Sequence, residues 1–187
     1  MDNIQKDVDV FLRNPSNFED KIIINSTLYL LRRDISICFG INPNNHQKVD
    51  FQALFPATMG VMAGIDLMAK FVYNDKPNKV SERFSKYIKR YIDTKFSEEI
   101  YQLRNSLLHS FGLFSKDNAG KVYRFNLSIG YGELVHVQNK FYHIDIELLW
   151  NKFDKSIECY QEDLNKSKDL QIKFSEMYPK YGTICIK

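Results

Sequence analysis

Apolar residues at Phe18, Ile22, Ile24, Leu28, Leu31 and Ile35 recur at helical spacing until the breaker cluster Gly40-Ile41-Asn42-Pro43-Asn44-Asn45. They predict a long amphipathic helix and then a loop. A second helix follows from Phe51, Leu54, Phe55, Met59, Met62, Ile65, Met68 and Val72, with Asp50 as its cap and Pro56 tolerable in its first turn. Ala57, Gly60, Ala63 and Gly64 are small residues within this otherwise bulky stretch, so a neighbour can approach closely and the helix is expected at the centre of a bundle. After the loop at residues 74–78, Val80, Phe84, Tyr87, Ile88, Tyr91 and Ile92 form a third helical face. A fourth helix runs from about Ser97 to Phe111, with Ile100, Leu103 and Leu107 inward and Gly112 as its stop.

The pattern then changes period. Val122 to Ile129 alternates with β-type residues, Gly130-Tyr131-Gly132 reads as a turn, and Leu134–Gln138 and Phe141–Ile144 are two short strands around Asn139-Lys140. From Asp145, a cap, Leu149, Trp150, Phe153, Ile157, Tyr160 and Leu164 make a long closing helix. The expected fold is mainly α: one domain over residues 1–187, a bundle of about five helices with a small antiparallel β insertion at about 122–144 before the last long helix.

Composition narrows the function classes. With 187 residues, 44% apolar and 26% charged, the chain has ordinary globular proportions, and its net charge of +3 is too small to announce a dedicated nucleic-acid binder. Cys38, Cys159 and Cys185 are odd in number and without paired spacing, as expected of reduced thiols. The N-terminus lacks a signal-peptide pattern, and Asp66 and Lys70 interrupt the most apolar helix, so a cytoplasmic protein without membrane contact is expected. There is no phosphate-binding glycine loop, no His-Glu-x-x-His and no Cys-x-x-Cys, so neither a cofactor nor a metal is expected. His136 and His143 alternate with apolar residues on the expected strands and should point to solvent, and His46 lies in a polar loop.

The remaining candidate chemistry lies in Tyr101-Gln102-Leu103-Arg104-Asn105-Ser106-Leu107-Leu108-His109-Ser110. An arginine holds phosphate through a planar fork of donors, and a histidine moves protons near neutral pH, a combination suited to phosphodiester chemistry without a metal. Seven arginines and four histidines make the bare pair common by chance, so the weight falls on Asn105 directly after Arg104 and on the apolar helix around them.

This segment, within long helices, resembles the HEPN superfamily, whose motif is an arginine, a polar residue, a short spacer and a histidine. The resemblance implies a HEPN-like bundle and a metal-independent endoribonuclease, of the kind found in toxin or defence systems, where an antitoxin or another protein is a partner. Arg104, Asn105 and His109 would be its catalytic residues and RNA its substrate. The strand-rich stretch departs from the family pattern. His109 would take a proton from a ribose 2′-hydroxyl or give one to the leaving 5′-oxygen, while Arg104 steadies charge on the phosphate, leaving 2′,3′-cyclic phosphate and 5′-hydroxyl ends.

Asp66 is the carboxylate expected behind Arg104, unless it simply faces solvent. Residues five apart on a helix differ by about 140° in direction, so Arg104 and His109 are not expected side by side. A homodimer that pairs Arg104 of one copy with His109 of the other answers that difficulty. Lys79, Arg83, Lys86 and Arg90 recur at spacings of four, three and four and could form a stripe for an RNA backbone, with Tyr87 and Tyr91 stacking on bases. The alternative is a non-catalytic HEPN-like domain that binds a partner or a nucleotide. In it Arg104 pairs with Asp66 or Glu99, His109 serves the helix C-terminus, and the basic stripe or the small sheet is the contact surface.

Overall fold

The helix α3 (Leu54–Tyr73) is the one on which the others pack, and its small residues explain why. In the computed structural model, which describes residues 2–13, 26–42, 45, 47–49, 52–75 and 79–183, α2 (Thr27–Cys38) and α6 (Ile146–Lys166) both press against it. A Cβ on Gly64 would lie 2.6 Å from Phe153 Cζ of α6, and one on Gly60 would lie 2.7 Å from Ile35 Cγ1 of α2. Ala63, by contrast, is exposed. By length and composition α3 could cross a bilayer, but here Met62, Ile65, Met68, Phe71 and Val72 are buried inside the bundle.

Seven α-helices are present among the described residues. Beyond those expected, α1 (Asp2–Leu12) and α7 (Lys168–Met177) close the bundle through an aromatic cluster. Phe11 stacks on Phe71 at 4.4 Å, and Phe174 lies 5.5 Å from Phe71 and 5.8 Å from Phe11. The expected closing helix from Asp145 to Leu164 is α6, and α7 follows it. Ser167, extended at φ −123°, ends α6 and caps α7 by accepting from Leu170 N at 3.3 Å. Helix α2 begins at Thr27 behind the cap Ser26, so the expected start over Phe18 to Ile24 lies outside the described residues, as do Asp50 and Phe51. Pro56 does sit in the first turn of α3.

Helix α4 (Val80–Tyr87) runs on into a π-helical turn at Ile88–Ile92, and α5 (Ser97–Ser110) follows. The left-handed residue that ends α5 is Phe111 (φ 49°), one position before the expected stop. Phe111 N donates to Leu107 O at 3.2 Å and Gly112 N to Ser106 O at 3.1 Å.

The β insertion is larger and differently wired than the alternation suggests. Four strands, β1 (Phe114–Lys116), β2 (Val122–Ser128), β3 (Val135–Gln138) and β4 (Phe141–Asp145), lie in the order β1-β2-β4-β3. The expected all-antiparallel sheet is mixed, because β2 and β4 run parallel. After β2 the chain passes to the far edge, lays down β3, and returns through Asn139 (φ 51°) and Lys140 (φ 67°) to insert β4 between them. Asp145 fixes that route. Its Oδ2 accepts from Tyr131 N at 2.7 Å and Gly132 N at 3.2 Å, while its Oδ1 caps α6 at Leu148 N, 2.9 Å away. Alternation shows that a strand exists and which face is apolar, but not its neighbour.

Replacing Gly64 with alanine tests the central packing. Overpacking costs about 1–3 kcal/mol against about 1 kcal/mol gained in helix propensity, so Gly64→Ala should lower the thermal midpoint by a few degrees. A raised midpoint would show that Phe153 yields freely.

Candidate active site

Helix α5 carries the motif because its inward face is fixed. Ile100, Leu103 and Leu107 are fully buried, and Gln102 is tied to the sheet through Ser115 Oγ. This rotation leaves His109 exposed at the last turn and lays the Arg104 side chain, 13% exposed, along the bundle toward α3.

Arg104 is the meeting point. Its Nη1 lies 3.2 Å from His109 Nε2 and donates to Asn105 Oδ1 at 3.2 Å, while Nη2 donates to Asp66 Oδ2 at 3.4 Å. The three motif residues and Asp66 thus come together within one chain. The expectation that Arg104 and His109 cannot lie side by side is corrected, since it compared Cα directions and ignored the reach of a long arginine side chain toward the last turn of its helix. A guanidinium only donates, so His109 Nε2 accepts in this arrangement and the ring carries its hydrogen on Nδ1. Among the described residues, Arg104 Nε is buried without a hydrogen-bond partner.

Asp66 is not on a solvated face. Its side chain is 20% exposed and divides its two oxygens between two arginines, Oδ2 to Arg104 and Oδ1 to Arg83 of α4 at 3.3 Å. Arg83 also donates to Asp75 Oδ1 at 2.7 Å, and Tyr181 OH donates to the other oxygen of Asp75. The hydrogen bond from Tyr181 is the main reason the Asp75 carboxyl is held below its ordinary range, with the charges of Lys70 and Arg83 adding to it and burial opposing. Two carboxylates face two guanidinium groups in this half-buried cluster, with Lys70 as a further cation beside Asp75.

An open polar cleft of about 440 Å³ adjoins the motif, with Ser81, Tyr101, Gln102, Asn105 and Lys116 among its lining residues. Asn105 therefore borders both Arg104 and open space. Among the described residues no cluster of histidine, cysteine and carboxylate side chains could hold a metal ion.

No family model matches the chain, and neither a curated protein nor a solved structure is significantly similar to it.

Of the four cations of the expected stripe, Lys79, Arg83 and Lys86 border one cleft, and each is already ion-paired. Arg83 is 5% exposed and turned inward to Asp66 and Asp75, Lys79 and Lys86 both pair with Glu82, and Arg90 pairs with Asp163 at 2.6 Å. Tyr87 is buried with its hydroxyl 2.8 Å from Ser156 Oγ, and Tyr91 donates to Asp163 at 2.8 Å. Burial pushes both phenols up. Glu99 lies 3.9 Å from Lys121, and Arg104 takes Asp66 instead.

Arg83, Asp75 and Tyr181 were not foreseen as supports of the site. Arg83 did carry a signal, since it is four residues from Tyr87 and so shares the inward face of α4. Asp75 and Tyr181 are 106 residues apart in sequence and nothing local links them.

Removing the shared carboxylate should be costly, because it takes the counter-charge from Arg104 and one of two carboxylates from Arg83, and both arginines are largely out of water. Asp66→Ala is expected to lose about 3 kcal/mol of stability in urea unfolding. A change within about 0.5 kcal/mol, as at an ordinary surface site, would contradict this network.

Proposed function

We propose that this chain is a HEPN-type metal-independent endoribonuclease, with Arg104, Asn105 and His109 as the catalytic set. The observation that carries the reading is the 3.2 Å approach of Arg104 to His109, with Asp66 behind the arginine. In the free protein the guanidinium occupies the His109 lone pair and the Asn105 oxygen. A phosphate entering from the open side competes for Nη1 as a stronger acceptor and releases His109 Nε2 to take the proton of a 2′-hydroxyl.

The 2′-oxygen then attacks phosphorus, the bond to the 5′-oxygen breaks, and that oxygen is protonated. The products are a 2′,3′-cyclic phosphate and a 5′-hydroxyl. Arg104 meets the charge on the phosphate oxygens, and Asp66 keeps it in place as a positioning residue. Two proton transfers are required and one chain offers one motif histidine. A two-fold homodimer with α5 at the interface supplies the second, which takes a proton from solvent on Nε2 and gives it to the 5′-oxygen while the first keeps the proton of the 2′-hydroxyl. This is a different reason for a dimer from the one geometry first suggested.

A second reading has one specific observation in its favour. Arg104 is mostly buried and already ion-paired, as a purely structural arginine would be. In that case the domain binds a partner or a nucleotide and cuts nothing.

The two readings separate in one experiment. In excess chelator, the purified protein should cut mixed-sequence single-stranded RNA to 2′,3′-cyclic phosphate ends, and Arg104→Ala and His109→Ala should each slow cleavage by about a hundredfold or more. Intact RNA, or equal cleavage by parent and variants, contradicts the nuclease reading.

A further inference from the structure

The inner face of the sheet is spent on packing, since Tyr123, Phe125 and Ile144 are buried. The outer face is not. Register places Phe114 opposite Arg124, Lys116 opposite Val122, Asn126 opposite His143 and His136 opposite His143, so these side chains share one surface across all four strands. Phe114 is 53% exposed, and Lys116, Arg124 and Asn126 are exposed as well. At the far edge Tyr131, itself exposed, packs its ring 5.1 Å from that of His136 and 6.0 Å from that of His143.

We propose that this outer face is a stacking platform for single-stranded RNA, which it delivers to the Arg104–His109 site; the proposal deepens the nuclease reading and rests on it for the delivery step. Charge complementarity identifies the occupant. The exposed outward strand positions carry Lys116 and Arg124, while Asp145, at the end of β4 on the same register, is buried under the Tyr131 and Gly132 N–H groups. The nearest acids are engaged, Glu133 with His136 at 3.3 Å, Asp117 with the backbone N–H groups of Ala119 and Lys121 and the Tyr123 hydroxyl, and Glu98, which lines the cleft beside Lys116, with Gln102 Nε2 at 2.9 Å. Exposed rings interleaved with cations suit bases and phosphates of an unpaired strand, because every base has a face to stack while a duplex hides its bases.

Continuity with the motif supports the same occupant. Lys116 stands on the outer face and also lines the cleft beside Asn105, and β1 begins five residues after His109. Between them Phe111 is 71% exposed and held left-handed at φ 49°, a conformation unfavourable for any residue with a side chain. Local stability favours glycine there. An exposed aromatic ring at such a position is free to stack on a ligand beside the motif.

The probe is a fully 2′-O-methylated single-stranded RNA of about ten nucleotides, which cannot be cut, read by fluorescence anisotropy. The parent should bind it, and bind the matching duplex much more weakly. The Phe114→Ala, Arg124→Glu double variant should lose about tenfold or more in affinity. Phe111→Gly should bind several-fold more weakly even though its thermal midpoint rises, which separates ligand contact from folding. No binding by the parent, or equal binding by the double variant, overturns the platform and leaves this face to a protein partner. Sheet-dependent binding without cleavage of ordinary RNA sinks the nuclease reading and keeps the platform. Cleavage unaffected by the sheet variants does the reverse.

Discussion

The carboxylate of Asp66 is the interaction on which the candidate site depends. One residue on the central helix gives one oxygen to Arg104 of α5 and the other to Arg83 of α4, so three helices are joined at a single charged point. A guanidinium removed this far from water persists only beside a counter-charge, and that counter-charge also decides where the fork points. Held by Asp66 through Nη2, Arg104 presents Nη1 to Asn105 and His109. The chain extends outward from Arg83 to Asp75 and Tyr181, so the last described turn of the protein bears on the motif helix through charge and hydrogen bonding.

The sheet completes this arrangement from the other side. Its inner face and the Gln102 contact set the rotation of α5, and Asp145 joins the crossover turn at residues 131–132 to the start of α6. The insertion is thus a support for the motif helix as well as a surface of its own. Helix packing supplies the remaining rigidity, with Gly60 and Gly64 letting α2 and α6 approach α3 and the Phe11, Phe71 and Phe174 rings tying the first and last helices together.

Much of this is legible in the sequence where the controlling forces are local. Apolar spacing finds α3, α4, α5 and α6, the alternation finds β2, β3 and β4, and the Asp145 cap and the Asn139-Lys140 turn stand where their chemistry puts them. The Asp66–Arg104 pair could be anticipated because a carboxylate among Gly64, Ile65, Leu67 and Met68 needs a cation. What escapes is set by tertiary contacts. The parallel pairing of β2 with β4 depends on a crossover, the inward turn of Arg83 on two distant carboxylates, and the Arg104–His109 approach on side-chain reach that helix angles do not contain. Charge spacing likewise groups Lys79, Arg83 and Lys86, which do border one cleft, but it does not contain their ion pairs with Glu82, Asp66 and Asp75 or that of Arg90 with Asp163.

A single chain sets Arg104 against the His109 lone pair, and on the proposed reading a phosphodiester displaces it. Nitrogen NMR of the ¹⁵N-labelled His109 ring, in chelator, reads both halves. The account predicts an unprotonated Nε2 in the free protein, and a shift of that resonance when an uncleavable 2′-deoxy oligonucleotide is added, lost in Arg104→Ala. A ring protonated on Nε2 and bare on Nδ1, or a resonance that the oligonucleotide leaves unmoved, would contradict it.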